Sequence, residues 1–563
     1  MDTGMISDQM GVAILVALGF LAFACFVAYQ SIRQRKRIQA KIRSTYGKRP
    51  VREYDLVEFD AISHYFQQKQ KKGSYIDDIT WNDLDLDTIF MLMNHTWSCI
   101  GESYLYSMLR TPVFDSKALM ERRELLDYFL SHRKEREEVE YCFAKVGKTG
   151  RYSVFDYIYN LADCPTKPVW KEYLWGIGIL VSFASIFLSP AYGFTLFLAV
   201  MVASWVSHYN SLKVISPYVM SCSCLLQILK VSKSLGKIKA PELKKYQDAA
   251  EETAKAFRKL KRNSLFLVAN GAGGGMEKVL IDYLNYTFHI DIIQFQVVVK
   301  EMARNRENLE RLIDAMGMLE CGTAMASFCT MMPEHCLPIL REEGEIFLKA
   351  DNVYHPMISD PVKNSIETTR GVLLTGSNAS GKSTFLKTVA INAILAQTAG
   401  VVMADSWEGC YFKVLTSMAL RDDLDSQESY FIVEIKSLKR ILDEAGKGAA
   451  VLCFVDEVLR GTNTVERIAA SSEILKSLNR PDVLCFAATH DIELTHILEE
   501  DYENYHFQEE VLDDDIVFNY QLFQGRATSR NAIRLLAIMG YQEEIIQNAE
   551  KRALEFMKTG EWK

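Results

Sequence analysis

The sequence predicts a C-terminal α/β domain that follows an all-α region and transmembrane helices. Three observations support this prediction. From about residue 346, short apolar runs alternate with helical stretches, as they do in a doubly wound sheet. Residues 50–165 and 211–345 show helical periodicity. Two other stretches are apolar enough to cross a bilayer.

The first of these stretches, residues 11–30, contains no charged residue. Eight Lys or Arg residues follow it between Arg33 and Arg49. A cleaved signal peptide has the reverse order of charge, so we expect an uncleaved anchor with its N-terminus outside and the rest of the chain cytoplasmic. We interpret the basic cluster as a topology determinant near lipid headgroups, with a DNA-binding arm as the alternative.

The second apolar stretch, residues 166–210, reads as a helical hairpin with arms at 173–188 and 191–207. Its centre, LSPAYG, contains a Pro and a Gly that are typical of a turn. Lysines lie on both sides, so both ends are predicted to be cytoplasmic. A buried hairpin of a soluble protein is the alternative, because each arm is shorter than an ideal span. The sequence therefore predicts a multi-pass membrane protein that contacts lipids.

Charge and cysteine content limit the possible functions. The formal net charge of -8 argues against a dedicated nonspecific DNA binder, which is usually basic. None of the 12 cysteines lies in a CxxC pair, and Cys222 and Cys224 lack partner ligands nearby in the sequence. Buried thiols in a reducing compartment explain them better than a metal site or disulfides.

A phosphate-binding loop follows the predicted strand 371–375. The GxxxxGK[ST] pattern lies between a strand and a helix, where its backbone N–H groups and the helix N-terminus can hold phosphate. We expect Lys382 to contact the β- and γ-phosphates and Ser383 to bind Mg²⁺. The predicted ATP-binding residues are Gly376, Ser377, Asn378, Ala379, Ser380, Gly381, Lys382, Ser383 and Thr384.

Two further strands supply the predicted hydrolytic groups of this P-loop ATPase. The apolar run 449–456 ends at Asp456, a predicted Mg²⁺ ligand, and Glu457, which would activate water. The run 482–489 precedes His490, which we expect to sense the γ-phosphate. The alternatives are surface acids at the end of a core strand and a structural histidine. Glu457, His490 and Lys382 are the predicted catalytic residues.

Several segments resemble the MutS family of DNA mismatch-repair proteins. Residues 422–434, DDLDSQESYFIVE, are similar to the family's DDL...S.F..E segment, although Gln427 stands where Gly is usual. Residues 460–464, RGTNT, are similar to its RGTST stretch, and residues 354–356, YHP, precede the loop as its RHP does. Residues 520–525 and 530–540 are similar to its closing strand and helix–turn–helix.

The resemblance implies an ABC/MutS-type ATPase that forms a homodimer through its ATPase domains, with ATP and Mg²⁺ at the composite sites. Ser429 would then reach the partner's γ-phosphate, and Thr462 and Asn463 would lie at the dimer contact. Val362, Lys363 and Asn364 lie near the matching adenine position, where no aromatic residue stands. We expect a short form without the mismatch-recognition domain. The expected regions are an anchor (1–30), a helical core-like region (31–165), a membrane hairpin (166–210), a helical core and lever region (211–345) and the ATPase domain with its helix–turn–helix (346–563).

Three functions fit these features. The first is an ATP-dependent DNA-binding clamp or sensor at a membrane, and the second is a nucleotide-switched membrane tether that does not bind DNA. The third, an ABC-type transport engine, is disfavoured because no LSGGQ-like segment and no intramembrane ionisable residues are evident. The sequence does not decide which DNA, if any, is bound.

Overall fold

The computed structural model describes most of the chain. It covers residues 3–69, 74–150, 153–159, 168–257, 276–377, 380–418, 430–459, 462–511, 516–527, 533, 536 and 538–559. The helices of the N-terminal part are α1 (Thr3–Thr45), α2 (Leu56–Lys69), α3 (Asp78–Asp83), α4 (Leu86–Met93), α5 (Cys99–Arg110), α6 (Ser116–Ser131), α7 (Arg133–Ala144), α8 (Val154–Tyr159), α9 (Trp170–Leu188), α10 (Pro190–Leu235), α11 (Lys244–Ala256), α12 (Met276–Phe288), α13 (Ile290–Arg304) and α14 (Arg306–Met331).

The C-terminal part alternates strands and helices, as the sequence predicts. Its elements are β1 (Ile339–Arg341), β2 (Leu348–Val353), β3 (Asn364–Thr368), β4 (Gly371–Thr375), α15 (Lys382–Thr398), β5 (Ser406–Cys410), β6 (Lys413–Ser417), α16 (Tyr430–Glu444), β7 (Val451–Asp456), α17 (Thr464–Leu478), β8 (Val483–Ala488), α18 (Ile492–Ile497), β9 (Tyr502–Val511), β10 (Ile516–Gln524) and α19 (Glu543–Thr559).

A six-stranded sheet forms the centre of this C-terminal part, in the order β10-β9-β4-β8-β7-β6. All neighbours are parallel except β10, which pairs antiparallel with β9. Every residue of β4, β7 and β8 is buried, because helices cover both faces of a parallel sheet. The predicted α/β class is therefore confirmed, and the carboxyl ends of these three strands meet at one edge.

A second, four-stranded sheet has the order β1-β5-β2-β3 and was not predicted. Its strands are short and rich in polar residues, such as NSIET in β3 and SWEGC in β5. They lack the continuous apolar runs that mark the central strands, so periodicity alone does not find them.

The chain divides into two compact units. One comprises residues 1–68, 94–105 and 125–331, and the other comprises residues 69–93, 106–124 and 332–563. The sequence assigns 31–165 to a single helical region, whereas the structure places two pieces of that region in the α/β unit. Asp83 in α3 helps to explain why residues 69–93 belong to the α/β unit. Its buried carboxylate accepts hydrogen bonds from Thr416 Oγ1 (2.7 Å) and from the backbone N–H of Met418 (3.0 Å).

Two of the buried carboxyl groups in the helical unit, Glu320 and Glu140, have a raised pKa. Glu320 in α14 accepts the backbone N–H groups of Trp97 (2.6 Å) and Ser98 (2.8 Å), which lie at the start of α5. Burial raises the pKa of Glu320 to about 7 and that of Glu140 in α7 to about 8. Both groups therefore make the stability of this unit depend on pH.

Three helices within the described residues are long and apolar enough to cross a membrane. Trp170–Leu188 and Pro190–Ile215 bury only 17% and 11% of their most apolar windows, whereas Arg306–Met331 buries 83%. The last is a core helix, and the first two form the hairpin that the sequence places at 173–188 and 191–207. The length and the exposed apolar surface of these two helices are compatible with a membrane location, which stays a prediction.

Some expected features fall partly or wholly outside the described residues. Residues 11–30 lie within α1, but the structure describes fewer than half of their side chains, so the first anchor stays a prediction. Of the closing helix–turn–helix, α19 is described, whereas most of residues 528–537 are not. Cys224 is buried with its sulfur 3.1 Å from Cys99 Sγ, and among described residues no metal-ligating group of three is present.

Candidate nucleotide-binding site

The predicted phosphate loop connects β4 to α15. Gly376 has φ +143°, and a Cβ placed there would lie 2.7 Å from the carbonyl oxygen of Phe507. Gly381, the residue before α15, has φ +110°. Both positions require glycine because side chains rarely adopt these backbone angles and the first position has no room for one. The second of these glycines leads directly into the N-terminus of a 17-residue helix, which favours bound anions.

Lys382 reaches back across this loop. Its Nζ donates hydrogen bonds to the carbonyl oxygens of Gly376 and Ser377, both at 2.8 Å, and the side chain is largely buried. Ser377 Oγ in turn donates to the buried carboxylate of Glu509 in β9, at 2.8 Å. Glu509 was not predicted, because β9 follows the loop by more than a hundred residues. The lysine charge is thus held within the loop by two backbone carbonyl groups.

The hydroxyl groups of Ser380, Ser383 and Thr384 complete the described part of the loop. Ser380 is buried, and its Oγ has no hydrogen-bond partner among the described residues. Ser383 and Thr384 are exposed in the first turn of α15, where their hydroxyls are open to a ligand. Asn378 and Ala379 lie outside the described residues, so their predicted phosphate contacts stay predictions.

Asp456 is the last residue of β7, at the same sheet edge as the phosphate loop. Its Oδ1 is buried and lacks a hydrogen-bond partner within the described part of the chain. Buried polar atoms rarely stay unpartnered, so this oxygen is available to a bound cation or water. A carboxylate oxygen is the donor that Mg²⁺ prefers, which fits the predicted metal role.

Glu457 and His490 meet at this edge. His490 Nε2 lies 2.6 Å from Glu457 Oε1, and both side chains are partly exposed. The backbone N–H of Glu457 donates to Ala488 O at 2.9 Å, so the strand that leads to His490 also holds Glu457. The structure therefore brings together two residues that the sequence assigned separately to hydrolysis.

An unpredicted ion pair lies beside His490. Arg467 in α17 contacts both carboxylate oxygens of Asp491, at 2.9 and 2.5 Å. This hydrogen bonding, with the charges of Asp491 and Glu457, raises the pKa of Arg467. Arg467, Asp491, Glu457 and His490 line a cavity of about 190 Å³. Asp491 directly follows His490, but no sequence pattern indicates that Arg467 reaches it.

A second cavity, of about 450 Å³, opens beside Gly381 and the first turns of α15. Val362 and Asn364 line it, whereas Lys363 pairs with Glu334 at 2.5 Å. Tyr520 from β10 supplies the aromatic side chain that the sequence lacks near residues 362–364. Its ring carbon Cδ1 lies 3.2 Å from where a Cβ of Gly381 would stand. The cavity has the size and the aromatic wall of a small-molecule site.

Asn364 and His355 complete this cavity. Asn364 Nδ2 donates to Tyr520 O at 3.0 Å, and its Oδ1 accepts the N–H of Leu522 at 2.8 Å. Burial lowers the pKa of His355 to about 4, so this ring is neutral near pH 7. His355 therefore adds no positive charge to the cavity wall, which also includes Asp360.

The structure contains one chain, so it does not test the predicted dimer contact. Ser429 lies outside the described residues. Asn463 caps α17 by accepting the N–H of Val465 at 2.9 Å, and Thr462 Oγ1 donates to Glu466 at 3.2 Å. Asn463 is exposed, so its capping role leaves the predicted contact open.

Comparisons with known proteins identify this region. Residues 372–557 match the family model for MutS domain V, which is an ATPase-type α/β domain. The chain is similar to the DNA mismatch repair protein MutS of Halothermothrix orenii, with 26% identity over 287 residues that make up 48% of this chain and 32% of that protein. MutS of Pseudothermotoga lettingae is 32% identical over 227 residues, which cover 38% of this chain and 27% of that protein. MutS of Thermus thermophilus is 31% identical over 251 residues, which cover 44% and 30%.

These matches confirm the resemblance to the MutS family that the sequence motifs predicted. The chain spans about a third of the length of these curated relatives. The similarity therefore covers the ATPase-type domain and part of what precedes it.

Proposed function

We propose that this protein binds and hydrolyses ATP with Mg²⁺ and works as an ATP-dependent DNA-binding clamp or sensor anchored at a membrane. The observation that carries the ATPase part is the meeting of Lys382, Asp456, Glu457 and His490 at one edge of a parallel sheet. The match to MutS domain V supports the same proposal.

Each residue has a distinct role in this proposal. Lys382 and the N-terminus of α15 bind the β- and γ-phosphates, and Tyr520 faces the base in the adjoining cavity. Glu457 accepts a hydrogen bond from the attacking water and orients it toward the γ-phosphorus. His490 lies 2.6 Å from Glu457 in the structure, so water and phosphate must compete with this contact when ATP binds.

Magnesium fits the donor set at this site. Asp456 and Ser383 would hold it, and it would neutralise charge on the phosphate oxygens. Arg467 and Asp491 hold the loop that carries His490, through their paired hydrogen bonds. The chain's own residues thus bind, orient and shield the reacting groups.

The clamp part of the proposal rests on the relatives. The curated relatives are named as DNA mismatch repair proteins, and the motif that contains Ser429 resembles the segment that reaches a partner's phosphate in that family. A homodimer with two composite sites would couple ATP binding to the relative position of the subunits. Such coupling is what an ATP-dependent clamp on DNA requires.

The membrane part rests on the hairpin. The side chains of α9 and the first half of α10 are mainly apolar and exposed; Leu188, for example, is 88% exposed. An exposed apolar surface of this length is expected to contact lipid rather than water. The lysines at both ends favour a cytoplasmic location for the remainder of the chain.

A membrane tether that is switched by nucleotide but does not bind DNA is the second candidate. The acidic balance of the chain, with a formal net charge of -8, favours it over the clamp. Both candidates share the ATPase and the membrane hairpin. DNA affinity therefore separates them.

ATP turnover of the full chain in detergent tests the first proposal. We would measure it with duplex, branched and single-stranded DNA and without DNA, at two salt concentrations, beside Glu457→Gln as the inactive control. DNA-stimulated turnover in the wild type alone, with affinity that falls steeply as salt rises, supports the clamp. ATP turnover without any DNA binding favours the tether, and turnover that is equal in wild type and Glu457→Gln contradicts the proposed hydrolysis.

Cysteine labelling of intact cells tests the topology. Leu188→Cys lies at the tip of the hairpin, and the matched control Val51→Cys is 95% exposed outside both predicted spans. A membrane-impermeant maleimide should label the first from outside and the second only after lysis. Labelling of both variants only after lysis would contradict a hairpin that crosses the bilayer.

A further inference from the structure

The turn that carries Glu457 has an unusual backbone. Glu457 has φ +58° and Leu459 has φ +60°, both in the left-handed region. Non-glycine residues rarely adopt this conformation, and they keep it only where surrounding contacts impose it. The direction of the Glu457 carboxylate therefore depends on whatever holds residues 457–459.

Three elements hold this turn, with one hydrogen bond for each of its residues. The N–H of Glu457 donates to Ala488 O in β8 at 2.9 Å. Ser471 Oγ in α17 donates to Val458 O at 3.2 Å. Glu434 Oε1 in α16 accepts the N–H of Leu459 at 2.5 Å.

The two side chains that make these contacts are buried. Glu434 is 2% exposed and Ser471 is 0% exposed. A carboxyl oxygen that accepts a backbone N–H in such a buried place makes a hydrogen bond that is costly to lose, because the donor would be left buried without a partner. A carboxyl group is costly to bury, so its place against Leu459 calls for an explanation beyond packing.

We propose that Glu434 and Ser471 are positioning residues that aim the Glu457 carboxylate for ATP hydrolysis. This inference rests on the proposed ATPase function and adds two residues that contact neither nucleotide nor metal in it. Glu434 fixes the end of the turn and Ser471 fixes its middle. Without them the strained turn relaxes, and the carboxylate moves away from the position where it can orient water.

A pair of substitutions at Glu434 isolates the hydrogen bond from packing. Glu434→Gln keeps an oxygen that can accept the Leu459 N–H, whereas Glu434→Met has similar length and lacks a strong acceptor. We expect the Met variant to lower kcat about 10- to 100-fold, since a misplacement of about 1 Å costs about that much. The Gln variant should retain kcat within about 3-fold, and the Kd for ATP should stay unchanged in both.

Ser471 has a matched control in its neighbour. Ser472 is also buried, but the partner of its Oγ among the described residues is Ala469 O within its own helix. We expect Ser471→Ala to lower kcat about 3- to 10-fold at unchanged Kd for ATP, consistent with loss of one of three contacts. Ser472→Ala should match the wild type. Equal effects of the two substitutions would indicate a general loss of packing and overturn the role of Ser471.

Amide hydrogen exchange tests whether Glu434 holds the turn without any measurement of ATP turnover. The Leu459 amide should exchange faster in Glu434→Met than in the wild type or Glu434→Gln, with the melting temperature as a check on folding. If Glu434→Met keeps wild-type kcat and wild-type exchange, the inference fails. If wild type and Glu457→Gln hydrolyse ATP equally, the proposed function fails instead, and the exchange rates still decide whether Glu434 holds the turn.

Discussion

Removal of the Tyr520 ring should weaken ATP binding without slowing hydrolysis. The ring borders the 450 Å³ cavity beside the phosphate loop and is 46% exposed, so one face is available to a base. Stacking of a base on an aromatic side chain contributes about 1–3 kcal/mol. Because only one face is available, we take the lower part of this range, about 1–2 kcal/mol, which corresponds to an increase in Kd of about 5- to 30-fold.

The measurement is a titration of Mg·ATP into wild type, Tyr520→Phe and Tyr520→Ala by calorimetry. Tyr520→Phe should bind within about 2-fold of the wild type, because the ring face is retained. Tyr541→Ala is the control, since Tyr541 has a similar exposure of 53% and does not line the cavity. At saturating ATP, kcat should be equal in all four proteins, because Glu457 and His490 are unchanged.

Two outcomes would refute this reasoning. Equal Kd values for Tyr520→Ala and Tyr541→Ala would show that the cavity does not hold the base. A fall in kcat at saturating ATP would show that Tyr520 acts on the phosphate loop instead, through its contact with the position of Gly381.

Three further predictions concern stability and the loop. Gly376→Ala should weaken ATP binding at least 10-fold and lower stability by more than Gly344→Ala, which has similar φ strain (+117°) but open space around its Cβ; equal losses in the two variants would exclude the steric cause. The raised pKa of Glu140, about 8 against 4.5 in the unfolded chain, means that its contribution is unfavourable above pH 4.5 and grows until pH 8, by at most about 1.4 kcal/mol per pH unit. Melting temperatures between pH 6.5 and 8.5 should therefore fall less with rising pH in Glu140→Gln than in wild type, and parallel curves would contradict this. Asp83→Ala should cost about 3 kcal/mol, because it leaves the Met418 N–H buried without an acceptor, whereas Asp83→Asn should cost less in chemical denaturation.

Local sequence patterns predicted the elements that hold the phosphate and hydrolysis groups. The continuous apolar runs of β4, β7 and β8 are buried at every position. A predicted functional residue lies at the end of each strand or directly after it. The two glycines of the phosphate loop were also predicted locally, since residues with a side chain rarely adopt their backbone angles. These features depend on near neighbours in the chain, which explains why they could be predicted.

Contacts between distant segments could not be predicted. Tyr520 reaches its cavity because the pairing of β9 and β10 shifts register between Phe518 and Leu522, and Tyr520 itself has φ +53°. Such a bulge changes the direction of a side chain. The residue at positive φ is a tyrosine and not a glycine, so the sequence does not indicate the bulge. Arg467 meets Asp491 only once α17 and α18 have packed beside β8, and no local sequence pattern indicates that contact.

The continuity of α10 bears on how the proposed membrane span would work. This helix has 46 residues and is about 69 Å long, and only its first part, Pro190–Ile215, has the exposed apolar surface of a span. Buried hydrogen-bonded pairs join the ends of the hairpin to the helices beside it: His208 with Asp291 at 2.9 Å and His289 with Glu172 at 2.6 Å. A flexible linker would localise the protein equally well without burying four ionisable side chains, which is costly unless they are paired. Under the proposed topology, the span therefore moves with the helical unit instead of serving only as an attachment.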